Sequence, residues 1–577
     1  LEILVNAEQE RRTDEAARPP QRGSTRVLFW SLLGVSIISL WVLRPVLTNG
    51  FVHFDDDIYL DEVMRMGKFS LSSLRWMWTS LQPFYLQPIV WMTHLADYRL
   101  WGLNAVGHHA TNWLLHGVYV VLVGTLVWML TGKAGGVRPR ERLAMSTGIA
   151  LVCGIHPLQV ESVAWVAARN GLLCSVWMVA ALCAYMRAVG DNGGKKCGWW
   201  WATVALHAVA LLTKPFAVSL PVVMLAVDFF PLRRHVGRGA WRLVGEKWLM
   251  IAMSGAAAVG AIAAQPHLQE VVEGALGVRM LVAIRGVVFY LWKLVWPAWL
   301  SPFYPLSSQV NLRSMEFLVP LLVCMVITVA AVWQRKRAPV LLAAWWSYLA
   351  LLLPVSGLVQ SGGQAVANRY AYLAMAPVLL ALGSGALWIW RHGTVVKVVL
   401  CAAVGAWLVL LGVRTREQIP VWRDDPSLWG ALLSHFPNDP VGNYNLGLAM
   451  LRNGRLLEAR GLVERAVANS DAHARPLPMA RATLGLIYLK THAYPQAVEQ
   501  LQQAIAVDAT LWAARYNLAC AYTRLGRLAQ AYYTLEELLA VRPEYASLAA
   551  HDGELAALRN DPDYAARFAA LTGAPKN

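Results

Sequence analysis

Up to about residue 413 the sequence keeps returning to apolar runs of roughly 15–24 residues, the length a helix needs to cross a hydrocarbon core. Inside such a core every backbone N–H and C=O must find its partner within the protein, so runs of this kind commit the chain to helix. Composition agrees: 57% of the 577 residues are hydrophobic, 15% are charged and 27 are tryptophan. Soluble folds rarely accommodate that much apolar surface. From about residue 420 the chain reads instead as an ordinary soluble protein. Three regions are expected: a disordered polar tail over 1–26, a transmembrane domain over 27–413, and a soluble domain over 414–577. The fold class is all-α.

About eleven spans are predicted, at 27–47, 108–131, 143–155, 170–189, 199–213, 215–230, 248–264, 315–334, 339–355, 371–391 and 394–413. The first run, Val27 to Leu47, is too long for a signal-peptide core and has no small-residue cleavage site after it, so it reads as a retained helix. The net charge of +16 has a topological explanation. With the N-terminal tail, the connections "KAGGVRPRER", "RAVGDNGGKKCG", "PLRRHVGRGAWRLVGEK", "QRKRAP" and "RHG" hold roughly 21 Lys or Arg, against about 11 in twice the length on the other side. The positive-inside rule therefore predicts a cytoplasmic N-terminus, with the first outer loop, about 48–107, and the soluble domain outside. The segment 277–296 is apolar but carries Arg279, Arg285 and Lys293, and is expected to lie in the interface or pack within the protein. No basic stripe interleaves with aromatics on the soluble part, so nucleic acid is not an expected partner. The seven cysteines are scattered without a CxxC pair, which indicates neither disulfides nor zinc. No Walker motif is present.

The soluble part repeats. "VGNYNLGLAMLRNGRLLEARGLVERAVANS", "ARATLGLIYLKTHAYPQAVEQLQQAIAVDA" and "AARYNLACAYTRLGRLAQAYYTLEELLAVRP" align, with Gly447, Gly485 and Ala519 at one small-residue position and spacings of 38 and 34. A period near 34 with small residues where two helices cross is the tetratricopeptide (TPR) signature. About three repeats and cap helices would stack into an α-solenoid with a groove for a protein or peptide.

Charge retained at a bilayer surface is costly, so it marks candidate sites. "FVHFDDDIYL" places Asp55, Asp56 and Asp57 just beyond the first span. "GIHPLQVESVAWVAARNGLL" adds His156, Glu161 and Arg169; "LLTKPFAVSLP" adds Lys214; "QAVANRYAYLAMAP" adds Arg369. Carboxylates beside fixed cations suit a reaction with a nucleophile to deprotonate and a phosphate to release. An aspartate can act as base, or Asp55 and Asp56 can bind a divalent cation, magnesium or manganese, that steadies the phosphate. Lys and Arg can hold phosphate oxygens. An acidic triplet at a helix exit is also a common solvated turn, interfacial cations commonly snorkel, and His156 before Pro157 suits a structural role.

Taken in order, "FVHFDDDIYL", "QPIVWMTHLADYRLWGLNAVGHHATNWLLH", "HPLQVESVAWVAARNGLL", "TKPFAVSLPVVMLAVDFFPL", "ANRYAYL" and "VWRDDPSLW" followed by "NYNLG" resemble the transmembrane and TPR repeat-containing protein O-mannosyltransferases and their bacterial relatives. The resemblance runs from about residue 27 to 577. It implies a GT-C fold and inverting transfer of a sugar from a polyprenyl phosphate to a protein Ser or Thr hydroxyl outside the cytoplasm. Carried onto this chain, it makes Asp55 or Asp56 the base, with Asp57 the third choice, and Glu161 a supporting carboxylate. Lys214 and Arg369 become the donor-phosphate ligands, with Arg169 and His156 as further candidates. The chain departs from the family pattern at Asn170 and Gly171, which stand where an acidic residue often follows the Ala-Trp-Val segment. The expected setting is a bacterial inner membrane with the TPR domain in the periplasm. A catalytically idle membrane-anchored TPR scaffold for an envelope assembly is the alternative, and a glycolipid acceptor the variant that keeps the chemistry.

Overall fold

A computed structural model of the chain describes residues 22–83, 85–189, 197–236, 239–264, 276–306, 310–358, 364–472 and 477–573. Most of the tail expected over 1–26 therefore lies outside the described residues. The fold is all-α; the one sheet among the described residues is a two-stranded clasp, Tyr304–Pro305 antiparallel to Gln364–Val366. Two compact units divide after Asp424.

In the first unit every one of the predicted spans falls on a helix, but their lengths differ from the hydropathy reading. Among the described residues six helices are long and apolar enough to cross a membrane, seven if the bent pair Pro139–Ile155 and Pro157–Ala164 counts as one. This is an integral membrane protein. Cys197–Leu211, Pro215–Phe229, Trp248–Ala263 and Pro339–Val355 are shorter. A 15-residue helix such as Cys197–Leu211 is only about 22 Å long, less than a hydrocarbon core. Hydropathy averages across breaks, and proline makes them. Pro215 disfavours the helical conformation for the residue before it, and Lys214 is extended (φ −158°, ψ 135°). Pro157 does the same to His156 (φ −75°, ψ 134°), and the chain bends by 55° there. The segment expected at 277–296 is the helix Leu276–Val295, whose Arg279, Arg285 and Lys293 keep it out of the membrane-crossing set.

Small residues set the packing of Arg22–Leu43 against Ala105–Ala134 and Pro139–Ile155. A Cβ on Gly154 would lie 2.0 Å from Ser39 Oγ, and one on Gly124 would lie 2.3 Å from Leu32 Cδ2. Polar side chains close the seam: Ser36 Oγ donates to Gly117 O (3.0 Å), and His116 Nδ1 sits 2.6 Å from the Tyr372 hydroxyl. Tyr119 donates to Tyr372 O at 2.8 Å, which ties in the helix Ala371–Trp390.

The second unit is a run of paired helices joined by short turns. Pro440–Arg452 packs on Leu456–Ala472, Pro478–Lys490 on Tyr494–Val507, and Trp512–Arg524 on Leu528–Val541. Each pair turns through a left-handed residue, Gly454 (φ 73°), His492 (φ 61°) and Gly526 (φ 71°). A Cβ on Gly447 would lie 2.6 Å from Val463 Cγ2, and one on Gly485 would lie 2.5 Å from Leu501 Cγ. At the equivalent point Ala519 is fully buried.

Candidate functional site

After the first helix the chain makes a 3-10 turn, Arg44–Thr48, and then a tight loop in which Phe54 N donates to Val52 O (2.7 Å). That loop separates the three aspartates, although they are adjacent in sequence. Asp55 adopts a left-handed conformation (φ 87°, ψ −13°), uncommon for a non-glycine residue, and its side chain lines a cavity. Among the described residues no hydrogen bond holds its carboxylate. Burial, partly offset by the Arg369 guanidinium and reinforced by the Asp57 charge, raises its pKa to about 6. Asp56 turns inward and is buried; its two oxygens accept from Val52 N (3.0 Å) and Ala167 N (2.8 Å). Its pKa is raised to about 7, chiefly by burial and against those two bonds. Asp57 is half-buried in the first turn of the helix Asp56–Met66 and is not on the cavity wall.

The cavity, about 460 Å³, draws its polar wall from distant segments. Lys214 enters it because Pro215 breaks the helix at that point. Its Nζ donates to Asn170 Oδ1 (3.1 Å), and burial, helped by the Arg369 charge, lowers its pKa to about 8. Arg369 sits in the turn Asn368–Tyr370 directly after the clasp, and that turn is anchored on both sides. Tyr304 donates to Asn368 Oδ1 (3.0 Å), Asn368 Nδ2 donates to Ser301 O (2.9 Å), and Ala367 N donates to the Tyr290 oxygen (3.0 Å). Arg369 pairs with buried Glu161 (2.5 Å) and lies over the Trp165 ring at 5.2 Å. Glu161 comes from the short helix Val160–Ala164 beyond the Pro157 bend. Tyr59, whose hydroxyl donates to Gln87 Oε1 (3.1 Å), completes the polar side. Ala258, Ile262, Val282, Leu353 and Val355 give the cavity an apolar stretch of wall, and Arg279, one helical turn from Val282, is a further cation on the lining.

Asp55, Lys214 and Arg369 thus meet around one cavity, and Glu161 joins them through Arg369. Asp56, Asp57, Arg169 and His156 do not line it. Arg169 is fully buried, paired with Asp97 (2.6 Å) and bonded to Asn112 Oδ1 (2.7 Å) and His108 O (2.9 Å). It fastens the helix Pro88–Trp101 of the first loop to the membrane helices. His156 is buried as well, its Nε2 3.0 Å from Leu294 O and its Nδ1 accepting from Leu158 N (3.2 Å). Asp56, the second carboxylate of the expected divalent-cation pair, turns away from the cavity that Asp55 lines, and each of its oxygens accepts one backbone N–H. Among the described residues no three His, Cys, Asp or Glu side chains gather as a metal site.

Sequence reasoning did not select Tyr59, Trp165 or Asn170 for the site. Asn170 was visible only as a departure from the family pattern; its amide oxygen holds Lys214 without cancelling its charge.

An all-α membrane protein whose cavity sets one unbonded carboxylate among cations narrows the field of relatives, and comparison with curated proteins narrows it further. No family model matches the chain. Over 488 residues it is 25% identical to the protein O-mannosyl-transferase TMTC4 of Mus musculus, covering 74% of this chain and 64% of that protein. It is 25% identical over 423 residues to TMTC4 of Homo sapiens (64% and 56%) and 23% identical over 383 residues to the protein O-mannosyl-transferase F38B6.6 of Caenorhabditis elegans (65% and 52%). The chain is TMTC-like, and its matches span 52–64% of these relatives' own lengths.

Proposed function

We propose that this protein transfers a sugar, mannose by analogy with its relatives' names, from a polyprenyl phosphate to a Ser or Thr hydroxyl of a protein. Asp55 takes the hydroxyl proton as the acceptor oxygen attacks the anomeric carbon from the face opposite the phosphate, inverting it. The bond from that carbon to the phosphate oxygen breaks, and the departing phosphate's charge is met by Lys214 and Arg369. Glu161 fixes the guanidinium by their ion pair. The apolar wall suits the prenyl chain. The single observation that carries this reading is Asp55: a cavity-facing carboxylate with no hydrogen bond among the described residues, poised near neutrality, in a cavity that two half-buried cations, Lys214 and Arg369, also line. In the same reading the active side faces away from the cytoplasm, in a bacterial inner membrane, and the paired helices of the second unit form TPR repeats that select the acceptor.

The test is transfer from polyprenyl-phosphate [14C]mannose to endogenous acceptor proteins in membranes carrying the wild-type chain, Asp55→Asn or Lys214→Ala. Label in the wild type that falls on the order of 10²-fold in Asp55→Asn supports the proposal. Equal labelling in all three, at the level of membranes without the protein, refutes it and leaves the membrane-anchored scaffold.

A further inference from the structure

The motif "VWRDDPSLW", residues 421–429, finds no part in the transfer chemistry, yet its second residue reaches the site. Trp422 closes the turn Ile419–Trp422 after the last membrane helix and is fully buried. Its ring stacks on Trp165 (centroids 5.5 Å apart, planes at 20°), and Trp165 stacks in turn on Phe54 (4.9 Å, 21°). Phe54 immediately precedes Asp55, and Trp165 is the ring over which Arg369 lies. Two bonds run beside the stack: Gly50 N donates to Arg423 O (2.9 Å) and Asn49 Nδ2 donates to Ile419 O (3.3 Å). A Cβ on Gly50 would stand 3.3 Å from Arg423 O, so the two segments touch at backbone distance. Among the described residues the buried indole N–H of Trp422 has no partner, so its contribution is the ring's face and volume rather than a polar bond.

We infer that Trp422 is a positioning residue: the turn after the last membrane helix, acting through Trp165, holds both the loop that carries Asp55 and the guanidinium of Arg369. Site groups need neighbours that lock them to within about 0.5 Å, and a three-ring stack anchored at its far end by a buried turn provides such a lock. The importance of this placement for transfer rests on the proposed function; the placement itself does not.

Backbone hydrogen exchange of residues 50–58, measured on the full chain in nanodiscs, separates the two. Trp422→Ala is expected to speed that exchange by about tenfold or more, whereas Trp422→Phe, which keeps a stacking ring, stays within about twofold of wild type. Trp345→Ala removes an equally large buried ring elsewhere in the same unit and should leave 50–58 unchanged. Wild-type protection of 50–58 in Trp422→Ala overturns the inference, as does equal loss in Trp345→Ala. If Trp422→Ala does not fold, Asn49→Ala, which removes one bond to the same turn, is read by the same criterion. Transfer, if the wild type shows it, should fall at least about tenfold in Trp422→Ala and return in Trp422→Phe. A wild type without transfer activity defeats the proposed function while the exchange measurement still decides this one.

Discussion

Replacing Asp55 with asparagine should make the protein more stable while removing its activity. In the folded chain its pKa is raised from 3.8 to about 6, and burial is the main cause. A carboxyl group whose pKa rises on folding favours the folded state in acid and opposes it once ionised. The penalty is absent below about pH 4, grows between pH 4 and 6, and is complete above pH 6. At 1.36 kcal/mol per unit it reaches about 3 kcal/mol at neutral pH, and solvent reaching the half-buried side chain reduces it from there. Asparagine keeps the shape, carries no charge and is the side chain best suited to the left-handed backbone at this position (φ 87°). Among the described residues no hydrogen bond to the carboxylate is lost. Thermal unfolding in detergent at pH 7.5 and pH 3.5 reads the effect: Asp55→Asn should unfold at a higher temperature than wild type at pH 7.5 and at nearly the same temperature at pH 3.5. A lower unfolding temperature at pH 7.5, or an equal gain at both pH values, would show that the carboxylate is not an uncompensated charge and would remove the reason for singling it out. Asp56→Ala supplies the contrast. It strands the N–H groups of Val52 and Ala167, each worth roughly 1–3 kcal/mol when buried and unpaired, so it should destabilise the protein.

Transfer activity should be bell-shaped in pH, rising as Asp55 loses its proton near about 6 and falling as Lys214 loses its own near about 8, with Lys214→Arg extending the alkaline limb. Asn170→Asp would place a carboxylate on Lys214 and cancel its charge, raising KM for the donor by about tenfold or more with a smaller change in kcat, as read by donor titration. Gly154→Ala drives a methyl group into Ser39 and should cost roughly 1–3 kcal/mol by detergent unfolding, with Ser39→Gly in the same chain restoring most of it. His492→Gly relaxes a left-handed turn and should slow hydrogen exchange in Pro478–Lys490 and Tyr494–Val507, a gain of roughly 0.5 kcal/mol.

The all-α class was legible because membrane-length apolar runs permit little else. Breaks inside those runs were not, since hydropathy is blind to what Pro157 and Pro215 do to the residue before each. Of the acidic triplet, the sequence showed its location but not its division of labour, which follows from one left-handed residue and from an Ala167 N–H that arrives from another part of the chain. Lys214 and Arg369 were recognisable as charges that an apolar chain retains at helix ends. Arg169 carried the same signal, and only Asp97, Asn112 and His108, 57 or more residues away in sequence, show that its charge is consumed in holding the first loop. Trp422 stood in the sequence within "VWRDDPSLW", but its partners did not show, because a stack is a property of three distant rings.

Glu161 and Arg369 are 208 positions apart. At about 5–20 residues per second, a ribosome needs roughly 10–40 s to travel between them. Throughout that interval the carboxylate is already built and its cation does not yet exist. The cavity can be completed only late in synthesis, when most of the membrane helices have been delivered, and the Trp422 turn follows later still. A nascent chain stalled before residue 369 would hold Asp55 and Glu161 and lack the guanidinium that faces both.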